Sequence, residues 1–489
     1  MNAPLRFRAG HVPGVPADAL RRQVLPFTAH GRRLEVEVPV FDAAQLQAVG
    51  RRVRDAARDT LRPLPVDAIV DVLGRVADRL LDPADALRAQ ADALLPIVTG
   101  LDGEMVRVAL SGYLHAFRAP ALRRFVAEDF ANPKVLDGFQ PAVKGGSVRA
   151  LGPSLLVHSW AGNVPGLPMW SLAAGLLVKA GNVGKLPSAE PVFATLLAQA
   201  LLRERPDWHD AFAVLWWPGG DAAVEALYRE AEVVMAYGGT AALQSLRAQV
   251  PATTRFLPHG HKLGIVLVGR AALDRLRGPE AARRCAHDIV RYEQQGCYSP
   301  HVVYVERGGP LSPRAFAQHL AAALAAEGRR LPRRTPALDE AGALAGWRQS
   351  AEWQALQGRG ELLGDDASPW AVAFHDHAVP LAPTPGHRCI KVCAVDALDA
   401  VPPLVAPHAA VLQTAAVAAD SDTLFRVAAA LAEAGVTRVC AVGAMTQPEA
   451  GWHHDGRTSL ADLVRWVEVD AGAERAAERL GPHWQDGAP

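Results

Sequence analysis

Apolar residues recur at three- and four-residue intervals over 43–61, 66–81 and 83–95, with prolines between the runs, and this period predicts a helix-rich N-terminal region of about 150 residues. From residue 154 the pattern changes. Short apolar stretches at 154–158, 183–186, 212–217, 233–237 and 263–268 predict strands, and the segments between them, 167–180, 192–203, 222–229 and 241–249, keep the helical period. The alternation resumes at 301–305, with a helix over 313–326, strands near 370–374 and 389–395, a helix over 423–434 and a strand over 438–442. Strands alternating with helices predict βαβ units and mostly parallel sheets, where ligands sit beyond the strand ends. The polar stretch 329–368 breaks this order and is expected to be an excursion with some helix. The chain from Thr446 onward reads as aromatic and irregular.

Composition narrows the class. At 489 residues the chain exceeds one core, and its length predicts roughly two to four domains. Lys+Arg and Asp+Glu are both 51, a balance that argues against nucleic acid as a main partner. No apolar run is long enough to span a bilayer, and the first residues lack the charged-then-apolar order of a signal peptide. The cysteines (Cys285, Cys297, Cys389, Cys393 and Cys440) are odd in number and scattered, which predicts reduced thiols in a cytoplasmic protein. Cys389 and Cys393 have no second ligand pair and are expected to be small buried hydrophobes instead of zinc ligands.

Two short segments carry the chemistry. Gln294-Gln295-Gly296-Cys297-Tyr298-Ser299-Pro300 puts a cysteine among small and polar residues at a helix-to-strand junction, and Gly162-Asn163-Val164-Pro165 puts an asparagine on a turn after an apolar strand. A cysteine that attacks a carbonyl needs donors for the oxygen that becomes negative, and the Asn163 amide with the Cys297 N–H would supply them. His259 and His261 are candidate acid–base groups for Cys297 or the departing thiol, with nothing to separate the two. Gly238, Gly239 and Thr240 form a strand-to-helix turn that a pyrophosphate could approach, and Lys185 follows a short strand, within reach of ribose hydroxyls or a 2′-phosphate. His453, His454 and Asp455 invite a metal or triad reading. A surface or subunit-contact loop is preferred, because the local sequence offers no third ligand at metal spacing.

The order of these motifs resembles the aldehyde dehydrogenase superfamily. Gly162-Asn163-Val164-Pro165 is similar to its Asn-Phe-Pro turn, the segment from Gly181 to Ser188 to its Gly-Asn…Lys-Pro-Ser segment, and Tyr237-Gly238-Gly239-Thr240 to its Phe-Thr-Gly-Ser turn. Within it, the Gln-Gln-x-Cys-x-Ser-Pro element, Pro385-Gly386-His387-Arg388 and the segment Gly451 to Arg457 resemble the LuxC-type acyl-CoA reductases, over roughly residues 95–470. The resemblance implies an α/β fold of two Rossmann-like parallel-sheet domains with a short oligomerisation tail. The expected parts are a helical region and nucleotide-binding domain over 1–262, a catalytic domain over 263–445 and a subunit-contact tail over 446–489.

It also implies an activity: reduction of a fatty acyl-CoA, or another acyl thioester, to an aldehyde through a thioester on Cys297. NADPH would be the reductant, with NADH as the other candidate, coenzyme A the leaving group, and Lys185, Ser188, Gly238, Gly239 and Thr240 the cofactor contacts. Aligning Lys262 with the superfamily's Glu-Leu-Gly-Gly-Lys puts Pro258 in place of the glutamate that activates hydrolytic water, which favours transfer to a thiol. The rival readings are an aldehyde dehydrogenase that makes acids and a non-reducing acyl-carrier subunit. A cytoplasmic homo-oligomer with an acyl-donating partner enzyme completes the expectation.

Overall fold

The protein is described by a computed structural model over residues 3–16 and 19–480. Five parallel strands form one sheet in the order Arg255–His259, Val233–Tyr237, Leu155–Ser159, Gly181–Lys185, Phe212–Leu215. Alternate side chains of these strands enter different cores. Leu155 and Val157 pack with Leu46, Val49 and Val53 of the helix Ala43–Thr60. Leu156 faces the other way, into the core that holds Leu172 and Leu176 of the helix Leu167–Leu177. The first helix of the N-terminal region is therefore one of the layers that bury the sheet.

Close packing here needs glycine within a strand. A Cβ on Gly184, in the strand Gly181–Lys185, would lie 1.8 Å from the Trp160 indole. That ring is fixed by its own N–H, which donates to Ser171 Oγ at 2.6 Å. Gly184→Ala is expected to cost at least about 1–3 kcal/mol through overpacking. Urea unfolding checks this, and a variant with the wild-type midpoint would contradict the packing described.

Seven strands form the second sheet, in the order Glu361–Leu363, Ala371–His375, Cys389–Val395, Pro300–Glu306, Leu263–Val268, Leu412–Ala418, Arg438–Cys440. All are parallel except the edge strand Glu361–Leu363. The chain passes from one sheet to the other across Gly260, His261 and Lys262. The polar stretch 329–368 supplies that antiparallel edge strand and the 19-residue helix Leu338–Leu356. Only Leu344 of this helix is buried, so it lacks the wide apolar stripe that announces a helix in sequence.

The N-terminal region also holds strands that the sequence reading passed over. Leu5–Arg8, Arg32–Val40 and Arg21–Ala29 form a small sheet, with Leu34, Val36 and Val38 buried on one face. The period-2 alternation at 34–38 was legible, but the charged residues on the other face masked it. The tail is irregular up to residue 464, as expected, but its end is regular. Arg465–Val469 pairs antiparallel with Ser147–Leu151, which pairs in turn with Gln140–Pro141, and the helix Ala471–Arg479 follows. Among the described residues, no helix is long and apolar enough to cross a membrane. The described cysteines are free thiols, and Cys389 and Cys393 are buried in a central strand.

Candidate active site

A cavity of about 600 Å³ opens where the two large sheets meet. Its lining brings together Asn163, Gly238, Gly239, His259, His261 and Cys297, six residues singled out in the sequence. Tyr113, Val164, Leu167, Trp170, Tyr298 and Trp452 give it an apolar wall. Lys185, Ser188 and Thr240 stand outside this lining, at the ends of strands of the first sheet or just beyond them.

Cys297 follows a tight turn at the end of the helix Arg277–Val290 and precedes the buried strand Pro300–Glu306. The thiol is half-buried, and burial together with the Asp455 carboxylate pushes it up to about 12. The Gln413 amide and the cysteine's own backbone N–H act the other way, with smaller effect. At neutral pH the group rests as a thiol, and to act as a nucleophile it would need a base nearby.

A histidine from the tail stands beside it. His454 Nε2 lies 3.9 Å from Cys297 Sγ. The His454 ring stacks on His259 at 4.6 Å between centroids, and His259 stacks on Tyr237 at 4.7 Å. His259 Nδ1 meets Asp455 Oδ2 at 2.9 Å, and Gln413 Nε2 donates to Asp455 Oδ1 at 2.8 Å. Burial, with His259 adding to it, lowers His454 to about 4, so its imidazole is neutral at pH 7 and free to accept a proton. Burial alone would raise Asp455, but the bond to His259 and the nearby His454 outweigh it and hold the carboxylate well below its usual range.

This corrects the surface-loop reading of the tail motif. His453 is exposed, but His454 and Asp455 are part of the cavity wall and its support. The sequence showed no third ligand near them because His259 stands far upstream. Donor atoms of His259, His454 and Asp455 lie within 4.8 Å of one another, close enough to share a cation. The two rings are only 15° from parallel, however, and stacked imidazoles do not aim their lone pairs at one point. Asp455 is already committed to His259 and Gln413. The arrangement suits proton handling better than metal binding.

Asn163 Nδ2 donates to the Gln295 carbonyl at 2.8 Å, two residues before the thiol. An asparagine amide carries two N–H donors, so one remains for a bound oxygen. Gly162 lets this turn sit tightly: a Cβ there would lie 3.1 Å from the Glu190 nitrogen. The two sequence-predicted histidines separate. His259 joins the stack and the Asp455 pair, whereas His261 is exposed, with its ring 6.4 Å from that of His301. Lys262 donates to the Ala410 carbonyl at 3.0 Å.

On the first sheet, Gly239 caps the helix Thr240–Gln249 with no side-chain bond to the first-turn N–H groups, and a Cβ on Gly239 would meet nothing within 4 Å. The Lys185 ammonium lies 6.0 Å from the Trp217 ring, and burial, with no charged partner among the described residues, lowers its pKa. Ser188 is exposed, and its Oγ accepts from the Trp216 indole at 3.2 Å. Glu190 is buried and caps the helix Phe193–Glu204 by accepting from the N–H groups of Val192 and Phe193.

Glu340 is the one carboxylate among the described lining residues. It is bound to Arg334, His387 and the Ala337 N–H, and these outweigh its burial and hold it down at about 2. Pro258 is a strand residue paired with Ala236 and brings no acid to the cavity. Sequence reasoning missed His454, Asp455, Gln413 and Glu340 as site residues. The Trp-His-His-Asp-Gly motif was a visible signal for the first two. Gln413 and Glu340 left none.

Comparison with known proteins identifies the fold and the family. The fold matches an aldehyde dehydrogenase, KauB, from Pseudomonas aeruginosa, with a TM-score of 0.72 at 15% identity, over 94% of this chain and 96% of that one. An indole-3-acetaldehyde dehydrogenase in complex with NAD+ gives 0.71 at 16% identity, over 94% and 96%. In sequence, the chain is 28% identical over 351 residues to long-chain acyl-protein thioester reductase 2 of Photobacterium leiognathi, covering 71% of this chain and 70% of the relative. A long-chain acyl-protein thioester reductase of Aliivibrio fischeri is 27% identical over 359 residues, covering 71% and 70%. The acyl-CoA reductase (LuxC) family profile matches residues 61–466. The chain thus belongs to the acyl-CoA reductase (LuxC) family, oxidoreductases that act on acyl groups, here built on the aldehyde dehydrogenase fold.

Proposed function

We propose that the protein reduces a long-chain acyl thioester to the aldehyde through an acyl group carried on Cys297, with NADPH as reductant. The observation that carries this reading is a thiol 3.9 Å from a neutral histidine in a cavity whose lining offers no available carboxylate base. In the first step the Cys297 sulfur bonds to the thioester carbonyl carbon while its proton passes to His454 Nε2. The oxygen, now negative, is held by the Asn163 amide and the Cys297 N–H. The bond to the donor sulfur breaks, and the imidazolium of His454 protonates the departing thiol. The acyl group then stands on Cys297. A carboxylate able to activate water would hydrolyse it, and Glu340 is tied to Arg334 and His387 instead.

The residues of the first sheet fit a dinucleotide. The uncapped N-terminus at Gly239, with open space in place of a side chain, suits a pyrophosphate, and the Lys185 ammonium, without an ion-pair partner among the described residues, suits ribose hydroxyls or the 2′-phosphate that marks NADPH. When bound, the reduced nicotinamide supplies hydride. After reduction the carbon–sulfur bond to Cys297 breaks, the aldehyde leaves, and the thiolate regains a proton from solvent through His454. Ser188 and Thr240 belong to the same cofactor surface; His261, exposed at the rim, is left with access to the departing thiol. We assign 1–262 to a helical region and a nucleotide-binding domain, which also lends Asn163 to the site, and 263–445 to the catalytic domain that carries Cys297. The tail 446–489, whose last nine residues lie outside the described ones, serves subunit contact in a cytoplasmic homo-oligomer as well as the site.

The test uses purified protein, NADPH or NADH, and a panel of acyl-CoA chain lengths. The reading predicts acyl-CoA-dependent loss of nicotinamide absorbance matched one-to-one by aldehyde. Free acid as the product would mean a hydrolytic enzyme. Acylation without consumption of reduced cofactor would make the chain a carrier.

A further inference from the structure

The three residues leading into the nucleophile, Tyr292, Glu293 and Gln294, have φ of 52°, 54° and 65°. A left-handed run of three residues that all carry side chains is rarely adopted unless its surroundings enforce it. His387 and Arg388 repeat the conformation, with φ of 52° and 67°. Of the eight non-glycine residues with positive φ among the described residues, five are in these two segments and a sixth is Asp455.

The two segments are bound to each other. Arg388 Nε and Nη2 donate to Glu293 Oε2 and Oε1 at 2.8 and 2.7 Å, and both side chains are 0% exposed. The His387 N–H donates to the Glu293 carbonyl at 2.9 Å. Gln294 Nε2 donates to the carbonyls of Pro300 and Cys389 at 2.7 and 3.0 Å. From this turn the chain continues to Gln295, whose carbonyl accepts the Asn163 amide, and then to Cys297.

We infer that the Glu293–Arg388 ion pair is a positioning device: it enforces the left-handed turn at 292–294 and so sets the Cys297 thiol against His454 and Asn163. A fully buried ion pair contributes little net stability, because losing water offsets the attraction, while its two parallel bonds impose one geometry. Without it the turn is free to relax to the right-handed conformation. The Gln295 carbonyl would then rotate away from Asn163, and the oxyanion donor and the thiol would lose their register together. The inference rests on the reading of Cys297 as the nucleophile.

Glu293→Gln/Arg388→Met, which removes both charges at similar volume, tests it. Circular dichroism and the thermal midpoint establish folding. The readouts are kcat, KM for acyl-CoA, and the rate of coenzyme A release in the absence of reduced cofactor. A positioning role predicts a fall of at least about tenfold in kcat and in coenzyme A release, with KM within about twofold. A merely structural role predicts a lower midpoint with kinetics unchanged, and that result overturns the inference. If the double variant fails to fold, Arg388→Lys decides, since it keeps the charge but loses the paired bonds. An unchanged kcat in Arg388→Lys is then the overturning result. Cys297→Ala in the same assay separates the two claims. Continued coenzyme A release there would sink the nucleophile reading, whereas loss of release there with normal kinetics in the ion-pair variants would sink only the positioning role.

Discussion

Cys297→Ala is expected to lower acyl-CoA-dependent aldehyde formation by at least about a thousandfold, because it removes the atom proposed to carry the acyl group. The cavity keeps its cofactor surface and its apolar wall in this variant, so cofactor affinity is expected to stay near wild type. The thiol lies in a half-buried pocket, and its loss removes one sulfur atom from a site with room for a substrate. Folding should therefore be little affected, and a thermal midpoint measured beside the kinetics checks that. A variant that retained a tenth of the activity would mean direct reduction of the thioester without a covalent step.

His454→Ala is expected to lower the rate of Cys297 acylation by about 10²–10⁴-fold, the usual contribution of a positioned acid–base group. Its pH signature is more telling than its size. In the proposed step His454 accepts the proton in its neutral form, present above about 4, and Cys297 is a thiol below about 12. Between these limits neither group changes state, so acylation should be nearly flat from roughly pH 6 to 9. Without His454, thiolate must form by loss of the proton to solvent, and the residual rate should rise about tenfold per pH unit over that range. Coenzyme A release followed at several pH values, without reduced cofactor, measures this. A flat residual profile would show that another group takes the proton. A His259→Ala variant should keep the flat profile at a lower rate, since that residue acts on His454 through the stack and Asp455.

Much of the fold was legible. The strand–helix alternation from residue 154 rests on continuously apolar strands such as Leu263–Val268 and Val233–Tyr237, which are buried over their whole length and leave a strong signal. What escaped was structure whose apolar signal is weak. The helix Leu338–Leu356 buries only Leu344, and the strand Arg21–Ala29 buries no residue fully.

The site was legible where chemistry is local in the chain. Cys297 with its flanking glycine and serine, and Asn163 on its turn, could be read directly, and the structure brings both to one cavity. The acid–base group could not be assigned, because the choice depends on a fold contact. His259 and His261 are equivalent in sequence, yet the first pairs with Asp455 and the second stays exposed at the rim. His454 was set aside for want of a nearby partner, and its partners arrive from the first sheet and from the nucleophile turn, while Gln413 on the second sheet holds the neighbouring Asp455. The Glu293–Arg388 pair belongs to the same class: Arg388 stands in a legible motif, but nothing in the sequence joins it to Glu293 until the fold buries them together.

The central claim is that the acyl group is carried on Cys297 and reduced there. The most direct measurement is intact-protein and peptide mass spectrometry of enzyme mixed with a long-chain acyl-CoA, before and after reduced cofactor is added. The account predicts a single acyl adduct on the peptide that contains Cys297, stable without cofactor. On addition of NADPH it should disappear, with an equal amount of aldehyde formed. No adduct, or an adduct that persists while aldehyde accumulates, would contradict it.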